Sequence, residues 1–357
     1  MTNALLPNGF RDRLPPEADA SARLVRSILD CAGLFGYERA QPPLAEFESS
    51  LAAQLKTGTR NVLRFVDPES GETMGIRYDI TGQIGRIAAT RMAHHPRPVR
   101  LSYGGPVVRL RATQLRPERE MLQVGAELIG LDNIHAAIEI LSVAVESLKA
   151  AGVSDITLDL TMPDLVDRLA AGPLPVDDVE SLKARLDAKD AAGVPSAYAP
   201  LITAAGPFKQ AVARLKAFDQ WGVIAERLAL FEEIVAALPA DITITLDPTE
   251  RHGFEYQTWL GFSLFSTEAS GEIGRGGSYN IGEEPAIGFS VFVDPLIDAG
   301  FARNDRRRLF LPYGTDGATA GWLRGKGWVT VAALDAEDSA ERQICTHILK
   351  DGSPTRV

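Results

Sequence analysis

The feature that most narrows the fold is a run of alternating apolar segments separated by turns too short to hold a helix. "VLRFVD" and "GETMGIRYD" read as strands with "DPESG" as the hairpin turn between them, and "VRLSYGGPVVRL" and "MLQVGAELIG" read as two more. A parallel pair needs a crossover of roughly a dozen residues or more, whereas antiparallel strands can be joined by a tight turn. The pattern therefore predicts an α+β fold with a mostly antiparallel sheet, not a parallel wound one. "ITLDL" (156–160) and "ITITL" (242–246) add short strands, and "FEYQTWLGFSLFS" and "AIGFSVFVD" resume the sheet.

Helices are expected where apolar residues recur on one face. Leu24, Val25, Ile28, Leu29 and Ala32 form such a stripe, stopped near Gly33 and Gly36. Ile134, Ile138, Leu141, Val145 and Leu148 form another, and "DITGQIGRIAATRM" reads as a third helix despite Gly82 and Gly85. The prolines hold "AQPPLAEF" extended. Residues from about 162 to 238, with "VESLKARLDAKDAAG" and "ERLALFEEIVAAL", separate two strand regions and read as a helical insertion. This places a core domain at 1–302, a linker at "RNDRRR" (303–308), and a small C-terminal α/β domain at 306–357. The small domain is expected to run strand, helix, strand, helix and terminal turn, with "ERQICTHILK" in the second helix.

Composition closes several functional classes. With 37 basic and 47 acidic residues the net charge is −10, which disfavours a grip on nucleic-acid phosphates. No signal-peptide core and no run of about 18 apolar residues occurs. Cys31 and Cys345 lack metal-ligand spacing and read as buried, reduced thiols of a cytoplasmic protein. His94, His95, His135, His252 and His347 form no H-x-x-x-H pair, so neither a metal nor another cofactor is expected.

The chemistry-bearing stretch is "VVRLRATQLRPEREMLQVGAELIG" (107–130), two strands flanking an arginine-rich loop. Gln123 and Glu127 are four apart and project from the same face of a strand. By themselves they read as a solvated strand face, Asp79–Thr81 as a helix cap, "GRGGSYN" as a turn, and Arg109, Arg111, Arg116 and Arg119 as solubility charge. The shared register favours a ligand pocket, which could take an anion, an amine or a zwitterion.

Five segments then show a family likeness. "VVRLR…REMLQVGAELIG" resembles the second signature of class II aminoacyl-tRNA synthetases in the histidyl form, and "QPPLAEFE" resembles the first, a dimer-interface strand. "IRYDIT", "RHGFEYQT" and "GRGGSYN…PAIGF" are similar to three further histidyl segments, in the same order, over roughly residues 7–300. The likeness implies a class II synthetase-like core and an amino-acid site at Asp79, Thr81, Arg109, Gln123, Glu127 and Tyr256. In the family the positions of Asp79, Thr81 and Gln123 hold the ligand's ammonium, and that of Glu127 reads an imidazole. Asp79 suits an ammonium, Glu127 an imidazole N–H and Arg109 a carboxylate, because charge-assisted bonds are the strong ones. Gln257 stands where the family has a second tyrosine.

The nucleotide side departs from the pattern. Arg111 replaces a glutamate that faces adenine, His252 replaces an arginine, Phe292 replaces a glycine, and Asp294 with Pro295 replaces Glu–Arg. Adenylate formation needs fixed cations on the phosphates, and losing one such donor typically costs orders of magnitude in rate. Beyond residue 300 the chain carries about half of the family's anticodon-binding length. The combination is similar to the synthetase-like regulatory subunits of ATP phosphoribosyltransferase. That resemblance implies no reaction of its own and a hetero-octamer of four regulatory and four short catalytic subunits, with regulatory dimers formed through "QPPLAEF". It also implies a role in the first step of histidine biosynthesis and relay of inhibition by histidine. Two alternatives remain: an active histidine–tRNA ligase of reduced form, and a synthetase-like amino-acid-binding protein of another pathway.

Overall fold

A computed structural model describes residues 6–53, 62–111, 118–251, 257–304 and 307–357. The chain forms two compact units, Met1–Ala302 and Arg303–Val357.

The first unit opens with α1 (Glu17–Leu34), whose stripe Leu24, Ile28, Leu29 and Ala32 is buried. There follow β1 (Glu38–Arg39), β2 (Ala45–Phe47), α2 (Glu48–Ala53), β3 (Leu63–Val66), β4 (Thr73–Ile76), α3 (Thr81–Thr90), β5 (Val99–Val108) and β6 (Glu120–Ile129). Next is α4 (Ile134–Ala150), started by Asn133, whose side chain accepts a hydrogen bond from the Ala136 N–H at 3.0 Å. After β7 (Ile156–Thr161) come α5 (Leu165–Ala170), α6 (Val179–Asp187), α7 (Ala199–Thr203), β8 (Gly206–Pro207), α8 (Phe208–Phe218) and α9 (Ala225–Ala237). The unit closes with β9 (Thr243–Leu246), β10 (Gly261–Ser266), β11 (Glu272–Ile281), β12 (Glu284–Phe292) and α10 (Asp294–Asp298).

Among the described residues, nine strands form one sheet in the order β1-β5-β6-β12-β11-β10-β7-β9-β8. Its pairings are antiparallel except β1–β5 and β7–β9. Thus the turn-linked strands do build an α+β fold of mostly antiparallel type. The β11–β12 turn shows the reason: Gly282 at φ 60° takes the left-handed first position of a two-residue hairpin, which reverses the chain at once. "GRGGSYN", readable as a turn, instead lies within β11.

The two faces of this sheet differ in chemistry. One face presents Val124, Ala126, Leu128, Ile287, Phe289 and Val291 and packs with α1 and α4 into the main core. Each of these side chains larger than alanine, fully buried, contributes about 1.5–3 kcal/mol. The opposite face is polar in its middle. At one end α3 covers it, with Ile80, Ile84 and Ala88 packed on Val99, Leu101 and Tyr103. A separate three-stranded sheet, β2-β4-β3, is joined to this region by Arg77. That buried guanidinium donates to the carbonyl oxygens of Pro106 at 2.8 Å, Pro42 at 3.0 Å and Pro43 at 3.4 Å.

The second unit contains β13 (Arg308–Leu311), α11 (Gly317–Gly325), β14 (Val329–Ala332), β15 (His347–Lys350) and β16 (Ser353–Arg356), with sheet order β14-β13-β15-β16. The helix expected over "ERQICTHILK" is not formed: residues 347–350 are strand and pair antiparallel with β16. The signal was Asp351-Gly352, whose φ values of 47° and 75° make the tight turn that an Asp-Gly pair favours. Pro354 is tolerated because β16 is an edge strand.

Candidate functional site

The polar face becomes a site through cross-strand register. Glu127 on β6 lies beside Gly288 on β12, which pairs with Gly277 on β11, which pairs with Gly261 on β10. One carboxylate therefore faces a floor of three glycines. The floor needs them: a Cβ on Gly288 would land within the Glu127 carboxylate, one on Gly277 would strike the Leu260 carbonyl, and one on Gly261 would strike Thr161 Oγ1 and Gln257 Oε1. The adjoining row carries Tyr103, Gly125, Ser290 and Arg275.

Gln123 and Glu127 do share one face, but it is not solvated: they are 0 % and 1 % exposed. Glu127 accepts from the Tyr279 hydroxyl at 2.6 Å on Oε2 and from the Tyr103 hydroxyl at 2.9 Å on Oε1. Gln123 is committed within the protein. Its Oε1 accepts from the Ile80 N–H at 2.9 Å, and its Nε2 donates to Ser290 Oγ at 2.7 Å and to Asp79 Oδ1 at 3.4 Å. Asp79 also accepts from the Thr81 N–H, the first of α3, at 2.7 Å. Thr81 Oγ1 and Tyr103 Oη are 3.1 Å apart. Gln123 thus holds Asp79 in position rather than standing free for a ligand.

Burial governs the electrostatics. Desolvation pushes the Glu127 carboxyl up to about 8, against the pull of the Tyr279 and Tyr103 hydroxyls. Desolvation also raises Asp79, although Arg109 lies near enough to oppose the shift. Tyr103 is raised well above its ordinary value, first by burial and then by Glu127. Two buried carboxyls with raised pKa values, joined in one hydrogen-bonded cluster through Gln123, Ser290 and Tyr103, form a site poised to receive positive charge or N–H donors.

The cavity above Glu127, also lined by Gln257, Gly277 and Ser290, measures about 20 Å³, enough for roughly one water. An amino acid enters only if side chains over the floor move.

Of the six site residues expected from sequence, Asp79, Thr81, Gln123 and Glu127 form one hydrogen-bonded cluster. Arg109 stands at its margin, its guanidinium 5.8 Å from the Phe292 ring centre. Tyr256 lies outside the described residues, as do His252 and Arg116. The sequence reading missed Tyr103, Tyr279 and Ser290. Tyr103 and Ser290 sit opposite Gly125, midway between Gln123 and Glu127, and that signal appears only once strand pairing is known.

Where the resemblance sets nucleotide-handling groups, this chain has internal contacts. Phe292 is buried, with the guanidiniums of Arg109 and Arg275 at 5.8 and 5.9 Å from its ring centre. Asp294 accepts from Arg13 and from the Leu122 N–H at 2.9 Å. Pro295 forms the first turn of α10, and Arg111 is exposed. Among the described residues no group of three or more His, Cys, Asp or Glu side chains could hold a metal ion. No helix among them is long and apolar enough to cross a membrane. Cys31 and Cys345 are free and buried.

The Histidyl-tRNA synthetase family profile matches residues 9–296. An ATP phosphoribosyltransferase regulatory subunit of Paramagnetospirillum magneticum is 44 % identical, over 97 % of this chain and 96 % of its own. One of Rhodospirillum centenum is 41 % identical, over 98 % and 95 %. A solved structure from Bacillus halodurans, described as an ATP phosphoribosyltransferase regulatory subunit/histidyl-tRNA synthetase, superposes with a TM-score of 0.81 at 21 % identity, covering 96 % of each chain, and supports the fold. With a class II synthetase-like fold and near-full-length similarity to these relatives, the chain belongs to the family of ATP phosphoribosyltransferase regulatory subunits.

Proposed function

We propose that this chain is a non-catalytic regulatory subunit that binds L-histidine on the glycine-floored face and transmits its presence to a short-form catalytic ATP phosphoribosyltransferase. The reading includes assembly with that partner as a hetero-octamer, dimers of this chain formed through the "QPPLAEF" segment, and work in the cytoplasm at the first step of histidine biosynthesis. The observation that carries it is the buried Glu127 carboxyl, held by two tyrosine hydroxyls over glycines, next to the Asp79–Gln123 pair.

Asp79 takes the ligand's ammonium, with Thr81 and Gln123 fixing its orientation. Glu127 takes the imidazole and Arg109 the carboxylate, and the resemblance adds Tyr256 to the binding set. The raised Glu127 pKa suits a neutral imidazole: the protonated carboxyl and the ring nitrogen share one proton in a hydrogen bond, so the complex forms without net proton exchange near neutral pH. Adenylation is disfavoured because buried Phe292 and Asp294 stand where the resemblance sets a glycine and a glutamate, and Asp294 is engaged by Arg13.

Regulation requires that histidine favour one arrangement over another, and its effect on the partner cannot exceed that difference. The tight cavity supplies such a difference, since ligand entry obliges the surrounding side chains to move. The loop at 112–120 is proposed as the relay; residues 112–117 of it lie outside the described residues.

The test is co-purification with a short phosphoribosyltransferase, followed by its assay with and without this chain and histidine. Activity should require this chain and fall on adding histidine, and Glu127→Ala should abolish that fall. A catalytic subunit indifferent to this chain, or inhibition untouched by Glu127→Ala, refutes the proposal. Histidine-driven ATP–pyrophosphate exchange would establish the ligase alternative, and calorimetry with a panel of amino acids would expose a different ligand.

A further inference from the structure

We infer that Lys189 is a positioning residue for the amino-acid site: from the end of α6 it clasps residues 247–251, the stretch that leads in sequence to Tyr256 and Gln257, to the helical insertion. The inference rests on the amino-acid-binding reading above.

The backbone gives the first sign. Lys189 lies just past α6 at φ 54°, the left-handed position on which helices usually end in glycine or asparagine. A lysine there carries strain, and strain of this kind persists where the surroundings over-determine it. The side chain supplies the reason. Its ammonium donates to Asp247 Oδ1 at 2.7 Å and to Thr249 Oγ1 at 2.9 Å, and lies 2.7 Å from Asp247 Oδ2. Two more bonds join the same pieces of chain. The Arg251 N–H donates to Asp187 Oδ1 at 3.0 Å, and the Arg251 guanidinium donates to Glu180 Oε2 at 3.1 Å.

Charge puts Lys189 at the centre of this clasp. Asp159 on β7, Asp187 at the end of α6, and Asp247 and Glu250 after β9 act on one another electrostatically. Burial first, and then Asp247, holds Asp159 above its ordinary range against a hydrogen bond from Thr245. Burial, Asp187 and Asp247 do the same to Glu250, and Lys189 opposes both shifts. Without that ammonium the carboxylates repel one another across the seam between insertion and sheet.

The clasped stretch is also tied to the sheet. The Asp247 N–H donates to the Leu160 carbonyl of β7 at 2.9 Å, and β7 is the neighbour of β10, which carries the floor glycine Gly261. Gln257, not far along the chain, lines the Glu127 cavity. A stretch held by both sheet and insertion delivers the chain to that cavity in one arrangement. A loosened stretch must be ordered as the ligand binds, which lowers affinity.

The test compares the full chain with Lys189→Gly and Lys189→Arg, by calorimetry with L-histidine, thermal melting and amide hydrogen exchange of the free proteins. Lys189→Gly should weaken histidine about tenfold and speed exchange over residues 247–251. It should nevertheless melt within about 4 °C of the unaltered protein, because glycine relieves the left-handed strain while a partly exposed ion pair is lost. Lys189→Arg keeps a charged donor and should bind histidine within about threefold of the unaltered protein. Unchanged affinity or unchanged exchange in Lys189→Gly overturns the inference. So does a loss of affinity that Lys189→Arg fails to restore, or that comes with a larger loss of melting temperature, since either marks general damage to the fold. In those cases the unaltered protein still binds histidine and only this inference falls; if it binds none, the reading of the site falls as well.

Discussion

Replacing Glu127 with glutamine should flatten the dependence of stability on pH. Its carboxyl is ordinary at 4.5 when exposed and rises to about 8 in the folded chain, because burial disfavours the charged form. Between those values the folded state holds a proton that the unfolded state has released. Stability is therefore fully present below about 4.5 and is lost as pH rises through about 8. Each pH unit inside the window costs about 1.4 kcal/mol, so the whole loss is on the order of 5 kcal/mol. Glutamine keeps the shape and can still bond to Tyr103 and Tyr279, yet it has no proton to lose. Urea unfolding of both proteins at each pH from 4 to 9 gives the difference directly, and other titrating groups cancel. The curves should meet near pH 5 and diverge toward pH 9, with the glutamine variant the more stable. Parallel curves would show that Glu127 titrates normally, and the proposed accommodation of a neutral ring would lose its basis.

Three further outcomes follow from the same geometry. Histidine affinity measured by calorimetry should peak between about 6.5, where a free imidazole titrates, and about 8, where Glu127 does. Outside that window it should fall by about tenfold per pH unit, since the complex must then gain or release a proton; a flat profile would contradict the shared proton. Gly288→Ala should cost about 1–3 kcal/mol in chemical unfolding and remove histidine binding, because the new methyl competes with the Glu127 carboxylate for space. Arg77→Met should cost about 2–4 kcal/mol, by leaving the Pro42 and Pro106 carbonyls without their charged donor. The same variant should weaken self-association in sedimentation, because that guanidinium ties down the proline segment proposed to form the dimer.

Local order was legible in the chain because it depends on neighbours a few residues apart. The stripe of α1, the alternation of β5 and β6, and the mostly antiparallel sheet follow from apolar spacing and turn length. Even the missed β15–β16 hairpin was written locally, in Asp351-Gly352, where the apolar run before it suggested a helix instead. The equal spacing of Gln123 and Glu127 put them on one face, but spacing alone could not say whether water or protein lay above that face.

That decision belongs to pairing between strands far apart in sequence. Gly261, Gly277 and Gly288 become a floor only when β10, β11 and β12 lie side by side in one register, and a one-residue slip would turn the floor to the opposite side. The same registration brings Tyr103, Tyr279 and Ser290 to the buried carboxyl and glutamine, and leaves Thr161 and Gln257 facing one another across Gly261. Burial then shifts the Glu127 proton by displacing water, a property of the assembled sheet that no single stretch of sequence contains.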